Sequence, residues 1–379
     1  MTNIEHDREW LLDEDIIYLN HAAVAPWPRR TRDAVNVFAE ENTRRGSKSY
    51  PAWINKEEEL RRQLAQLIGI DSGSEISLLK NTSEGLSIIA YGLTWKDGDN
   101  IVISDQEFPS NRIVWQSLAD KGVEVREVDL YRYETPEQAL VEACDKNTRL
   151  LSISSIQFAS GLRMNLEILG DFCKEKAIFF CIDAIQSLGA EPFYAKRYNA
   201  DFVVADGHKW MLGPEGLAMF YCRADRREQI KLNQFGWHMV ENVGDYSEKR
   251  WQIADNPRRF ECGSPNMLCI HALSASLSLL LETGLEQVHQ ELVSRTQYLM
   301  QRLESMPGIK LLTLNIPERY CGILTFTTTD QPIEELFKRL TESGVFCAQR
   351  GGGVRLSPHY YTPYSCLDYT IGIIKDFTA

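Results

Sequence analysis

Short apolar runs recur along the chain, separated by helix-like stretches, and this alternation constrains the fold more than any other feature. Ile76–Leu79, Asn100–Ser104, Val123–Val128, Leu150–Ser154, Ile178–Asp183 and Asp201–Ala205 read as strands. Asn111–Asp120, Pro136–Cys144 and Asn165–Lys176 carry amphipathic patterns between them. Such a βαβα rhythm predicts an α/β fold, a mostly parallel sheet flanked by helices. Gly216–Cys222 reads as a further strand, added near residue 209. Helical pattern dominates from Met267 to about Ser305. Beyond it come Ile309–Leu314, Gly322–Thr327, a helix over Ile333–Ser343, Gly353–Leu356 and a last helix near Cys366–Phe377. These predict a smaller α/β C-terminal domain. The expected division is an N-terminal segment over 1–30 packing near the reaction centre, a large domain over 31–265 and a small domain over 266–379, with the break at Pro265.

A chain of 379 residues with 44% hydrophobic content fills both domains. The net charge of −12 leaves the basic pairs Arg29-Arg30, Arg44-Arg45 and Arg226-Arg227 diluted by acids. That balance argues against nucleic acid and against an anionic membrane surface. The most apolar helix candidate, Ala272–Leu281, is too short to span a bilayer. The nine cysteines form no CxxC pair. They read as reduced thiols in a cytoplasmic protein, with no metal site. The first twenty residues are charged and show no secretory pattern.

Chemistry gathers where strands end. Lys209 stands in Gly207-His208-Lys209, just past the run Asp201–Ala205, and Asp183 ends the run before it, with Gln186 three residues on. Ligands of open α/β sheets collect at such carboxyl ends. A lysine holds an aldehyde as a Schiff base and exchanges it for a substrate amine. A carboxylate keeps a pyridine nitrogen protonated, which makes the ring an electron sink. The pair points to pyridoxal 5'-phosphate, acting on an amino acid.

Asn81-Thr82-Ser83-Glu84-Gly85 opens a helix after Ile76–Leu79. Its N–H groups and the Thr82 and Ser83 hydroxyls suit a phosphate, although the same residues serve as an ordinary N-cap. His208 is a phosphate contact or a structural histidine, and Gln186 faces the ring's phenolic oxygen or is a polar helix residue. Phe108 stacks on a flat ring or anchors its loop. Arg355 binds an α-carboxylate through two parallel hydrogen bonds or forms an ion pair on a strand.

Together these residues resemble the class V aminotransferase-like family of pyridoxal phosphate enzymes, of fold type I. The resemblance runs from Tyr18-Leu-Asn-His-Ala-Ala-Val-Ala-Pro26 to Arg355-Leu-Ser-Pro-His-Tyr-Tyr-Thr362. Its most specific part is Asp183-x-x-Gln186 with Lys209 placed 26 residues after Asp183. It implies that Lys209 carries the cofactor, Asp183 pairs with the ring nitrogen, and Gln186 and Gln157 lie near the phenolic oxygen. Thr82, Ser83 and His208 would hold the phosphate. Arg355, with Asn20 and His21, would meet the substrate. Members are homodimers with shared sites, and Gly263 and Ser264 would reach the partner subunit's phosphate.

Two departures bear on the reaction. Phe108 stands where cysteine desulfurases and selenocysteine lyases of the family usually stack a histidine, as in kynureninase-like relatives. Arg350-Gly-Gly-Gly-Val-Arg355 leaves no room for the desulfurase cysteine loop, and Cys347 is the nearest thiol. A third departure is Asp206, where many relatives carry a hydroxyl. A carboxylate repels a phosphate, so Asp206 is expected to point elsewhere or to orient His208. The expected chemistry is loss of an α-proton to Lys209 from an external aldimine, giving a stabilised carbanion. Transamination is the leading outcome. The alternatives are β-elimination of the C–S lyase type without a loop cysteine, and isopenicillin N epimerase-like epimerisation. A non-catalytic scaffold is the remote reading, disfavoured because Lys209, Asp183, Gln186 and Arg355 occur together.

Overall fold

The computed structural model describes residues 9–378, so what the sequence implies for residues 1–8 falls outside it. The described chain enters through β1 (Ile17–Tyr18), α1 (Arg29–Arg45) and α2 (Tyr50–Leu67). Seven strands then build the main sheet: β2 (Ile76–Leu79), β3 (Asn100–Ser104), β4 (Glu124–Val128), β5 (Thr148–Ser154), β6 (Phe179–Asp183), β7 (Phe202–Asp206) and β8 (Ala218–Cys222). Their order is β2-β8-β7-β6-β5-β3-β4. Only β8 runs against its neighbours; the other pairings are parallel.

Every residue of β3, β6, β7 and β8 is buried. A sheet covered on both faces needs runs such as Phe179-Phe-Cys-Ile-Asp183 rather than polar alternation. Alternate residues feed two cores. Phe180, Ile182 and Val203 face one; Phe179, Cys181, Phe202 and Val204 face the other. The edge strand β4 carries Glu124, Arg126 and Glu127, charges that block pairing with another sheet.

Helices α3 (Thr82–Gly92), α4 (Ser110–Gln116), α5 (Pro136–Ala143) and α6 (Leu166–Lys176) link the strands. Asn81 caps α3 by accepting the Glu84 N–H at 2.9 Å. Gly85 lets α3 lie close on β7, since a Cβ there would sit 2.7 Å from the Val204 side chain. That approach sets Thr82 against Asp206.

The helical stretch after Met267 is two helices, α7 (Met267–Thr283) and α8 (Leu285–Glu304), bent by 82°. Gly284 makes the corner at φ 88°, a left-handed conformation that favours glycine. Val288 and Leu292 of α8 pack in the large sheet's core, while Leu299, Met300 and Leu303 pack in a third, C-terminal core. The chain therefore passes between these two cores within α8. The third core covers β9 (Ile309–Leu311), β10 (Leu324–Thr328), α9 (Ile333–Glu342), β11 (Val345–Phe346), β12 (Ala348–Arg350), β13 (Gly353–Leu356) and α10 (Tyr364–Thr378). β12, β13, β10 and β9 form an antiparallel sheet in that order. β1 pairs in parallel with β11, and Asn20 bridges to Ser357. This pairing carries the N-terminal segment to the carboxyl ends of the main sheet. Among the described residues no single helix is long and apolar enough to cross a membrane.

Candidate active site

The chain leaves β3 toward the edge strand β4 but leaves β5 in the opposite direction, toward β6. Loops diverging from neighbouring parallel strands open a crevice at their carboxyl ends. Phe108 follows β3, Asp183 closes β6, Asp206 closes β7 and Lys209 stands three residues beyond. These converge on a cavity of about 220 Å³. Its walls include seven residues expected from the sequence: Thr82, Phe108, Asp183, Gln186, His208, Lys209 and Arg355.

Lys209 is 8% exposed, and its Nζ lies 5.6 Å from the centre of the Phe108 ring. Burial lowers its proton affinity, opposed by Asp183 and reinforced by Arg355. Asp183 is 2% exposed, and burial raises its pKa, with Glu107 adding to the shift. Its Oδ1 accepts the Ile185 N–H at 3.1 Å. The acid and the amine thus answer one dry environment in opposite senses, the pattern of a reaction centre.

Arg355 projects from β13 and is 2% exposed. Nη1 donates to the Phe158 carbonyl at 2.7 Å, Nη2 approaches Asn20 Oδ1 at 3.4 Å, and Nε has no partner among the described residues. Among the described residues neither hydrogen-bond partner is an anion, so the guanidinium is poised for one. His208 Nδ1 also lacks a partner. Gln186 is held at both ends: Nε2 donates to the Ala22 carbonyl at 3.0 Å, and Oε1 accepts the Trp210 indole N–H at 2.7 Å.

The remaining expected residues lie outside the lining. His21 is fully buried, with Nδ1 donating to the Ser357 carbonyl at 2.9 Å and Nε2 accepting the Tyr361 hydroxyl at 2.7 Å. Both nitrogens are committed, and His21 ties the N-terminal segment to Ser357 and Tyr361. Among the described residues, Asn20 meets the site through its contact with Arg355. Gln157 is buried behind the cavity, its Nε2 donating to Glu107 Oε1 at 3.1 Å. Ser83 is exposed at the start of α3, and its hydroxyl donates to Ser110 at 2.9 Å. Gly263 and Ser264 line a separate surface concavity with Lys80 and Glu84.

Sequence reasoning missed two residues, Glu107 and Arg350. Glu107 is 6% exposed and gathers five donors: the hydroxyls of Ser104 and Ser154, the Ser154 N–H, Asn111 Nδ2 and Gln157 Nε2. The available signal was an acid beside Phe108 with Asn111 one helical turn on. Arg350 lines the cavity from the end of β12. Asp206 lines it too, contrary to expectation, and does not bond His208.

The family model for class V aminotransferases matches residues 17–360. The chain belongs to the class V aminotransferase family. A probable cysteine desulfurase of Methanothermobacter thermautotrophicus is 30% identical over 376 residues, 93% of this chain and 92% of its own length. A cysteine desulfurase of Yersinia pestis (strain Angola) is 29% identical, covering 92% and 85%. Among solved structures, the cystine C–S lyase C-DES, in complex with its product cysteine persulfide, aligns with a TM-score of 0.89 at 22% identity, covering 97% and 99%. This class V member is thus a pyridoxal phosphate enzyme of fold type I, with cysteine desulfurases among its relatives. Its residues fit that cofactor. A buried lysine faces an aromatic ring, a buried carboxyl ends the neighbouring strand, and unpartnered His208 and Arg355 nitrogens await acceptors. Buried polar atoms left unmatched are costly unless a ligand satisfies them.

Proposed function

We propose that this class V enzyme is a C–S lyase that eliminates sulfur from a cysteine-derived amino acid without storing it on an enzyme thiol. The observation that carries this reading is the absence of any cysteine from the cavity lining among the described residues. β12 and β13 are joined by a tight turn at Gly351 and Gly352, both at positive φ. Cys347 lies before β12, half-buried, with its thiol pushed up to about 12 by burial. Such a thiol is a poor nucleophile. The desulfurase relatives favour sulfur chemistry over the transamination that the sequence put first. A substrate disulfide such as cystine removes the need for an enzyme thiol, because its sulfur leaves already as a persulfide.

When bound, pyridoxal phosphate supplies the electron sink for a carbanion at the substrate α-carbon. Arg355 offers Nε and Nη2 to the α-carboxylate and fixes the Cα–H bond toward Lys209. Lys209 Nζ, desolvated and reduced in proton affinity, takes the α-proton. Asp183, with one carboxyl oxygen held by the Ile185 N–H, would keep the ring nitrogen protonated. The Cβ–S bond then breaks with its electron pair on sulfur. Water completes the balance: cystine gives pyruvate, ammonia and cysteine persulfide.

Holoenzyme is incubated with L-cystine, L-cysteine and a panel of other amino acids, and products are identified. Pyruvate with persulfide, undiminished in Cys347→Ser, is the expected result. A keto acid formed only when a second keto acid is supplied would replace this reading with transamination. We further propose a cytoplasmic homodimer. Support comes from the nine free cysteines and from a cluster of exposed aromatic residues, Phe235, Trp237, Tyr246 and Trp251. Gly263 and Ser264 of one subunit would then approach the α3 start of the other. Sedimentation measures the assembly.

A further inference from the structure

The end of β7 and the start of α3 hold each other. The Thr82 N–H donates to Asp206 Oδ2 at 3.2 Å, and the Asp206 N–H donates to Thr82 Oγ1 at 3.1 Å. Thr82 is 4% exposed and Asp206 8%. Asp206 Oδ1 has no partner among the described residues, and both residues line the Lys209 cavity. The carboxylate therefore sits on the helix N-terminus, where an anionic ligand finds its N–H donors and positive dipole end.

We propose that Asp206 competes with the cofactor's phosphate for the start of α3, so that the phosphate binds only with a proton held between the two anions. This rests on the pyridoxal phosphate reading and goes beyond it. Two oxyanions at one helix end repel, and a single shared proton turns repulsion into an O–H···O⁻ hydrogen bond. Burial already pushes Asp206 up to about 6. The second ionisation of a phosphate monoester also falls at about 6. The groups around Asp206 do not neutralise it fully: Lys209 opposes the shift, Asp183 and Glu215 are further acids, and His208 is held neutral by burial. Glu84 is turned away to the Lys80 N–H.

The sign follows from linkage. Below about pH 6 the proton is present and the phosphate binds without repulsion. Above it, binding must take up a proton, so affinity falls by up to about tenfold per pH unit.

The test measures dissociation constants for pyridoxal 5'-phosphate by absorbance, from about pH 6 to about pH 8.5, in Lys209→Ala, which removes covalent capture. The same protein carrying Asp206→Asn or Asp206→Ser is compared. Asparagine keeps an acceptor for the Thr82 N–H, so the fold is retained. The expected result is affinity that weakens with pH in the parent and is tighter and flatter in both Asp206 variants, by about tenfold or more at the alkaline end. Pyridoxal, which lacks the phosphate, should bind parent and variants alike. An unchanged pH dependence in the variants would overturn the proposal and leave Asp206 as a structural link. Equal effects on pyridoxal would also overturn it. If the parent binds no cofactor at any pH, the pyridoxal phosphate reading itself falls.

Discussion

Replacing Arg355 with methionine separates a group kept for the substrate from one kept for the fold. Burial pushes this guanidinium down to about 10. At about 1.4 kcal/mol per tenfold in proton affinity, holding it charged costs folding about 3 kcal/mol. Because the group is 2% exposed, solvent screening does not reduce that figure much. Methionine fills similar volume without the charge. It gives up the hydrogen bond to the Phe158 carbonyl and the long approach to Asn20, a loss of about 1–2 kcal/mol. The net expectation is a gain in stability of about 1–2 kcal/mol for the cofactor-free protein. Substrate binding moves the other way. Two charge-assisted hydrogen bonds to an α-carboxylate contribute about 3 kcal/mol together, a loss of about 100-fold in kcat/KM. Urea unfolding of the cofactor-free forms and steady-state kinetics of the holoenzymes read the two effects. An Arg355→Met protein destabilised by more than about 2 kcal/mol, with kcat/KM within a few-fold of the parent, would refute the argument.

Lys209→Ala should keep the fold and lose turnover together with the borohydride-sensitive visible band; multiple turnovers in that variant would sink its role as proton acceptor. Glu107→Gln turns an all-acceptor hub into one carrying donors against Asn111 and Ser154, and should cost about 2–4 kcal/mol in urea unfolding. Because Glu107 raises the Asp183 pKa, the acid limb of the pH–rate profile should also move to lower pH in that variant; an unmoved limb would uncouple the two acids. His21 is pushed down to about 4 by burial, and His359 lies well below its ordinary value. Both sit below the unfolded value of about 6.5, so the unfolded chain binds more protons and stability falls as pH drops from about 6.5 toward 4. His21→Gln should lose less stability between about pH 7 and pH 5 than the parent, and equal losses would show that His21 does not titrate on unfolding.

The inner strands of the main sheet were legible because each is a short apolar run closed by a polar or turn residue, a signal that survives without neighbours. Asn100–Ser104 and Ile76–Leu79 coincide with β3 and β2. Lys209, Asp183, Gln186 and Thr82 were legible as well, since a sheet delivers whatever follows its strand ends to one side. Helix α1 was not, because it buries only Thr31 along its length and owes its place to packing on α7. The single helical run after Met267 concealed a corner, since Gly284 interrupts periodicity no more than any glycine does.

Sequence by itself determined the alternation, the seats of the lysine and the carboxyl, and the short glycine turn that excludes a cysteine loop, because each depends on residues close in the chain. Tertiary structure decided where the long-range partners fall. His21 points to Ser357 and Tyr361, because β1 docks on β11 and turns it inward. Glu107 became a hub because β3 and β5 lie side by side. Asp206 became a rival for the phosphate because Gly85 lets α3 press on β7. Spacing along a chain carries no such distances, which arise only when a close-packed core selects one arrangement of its elements.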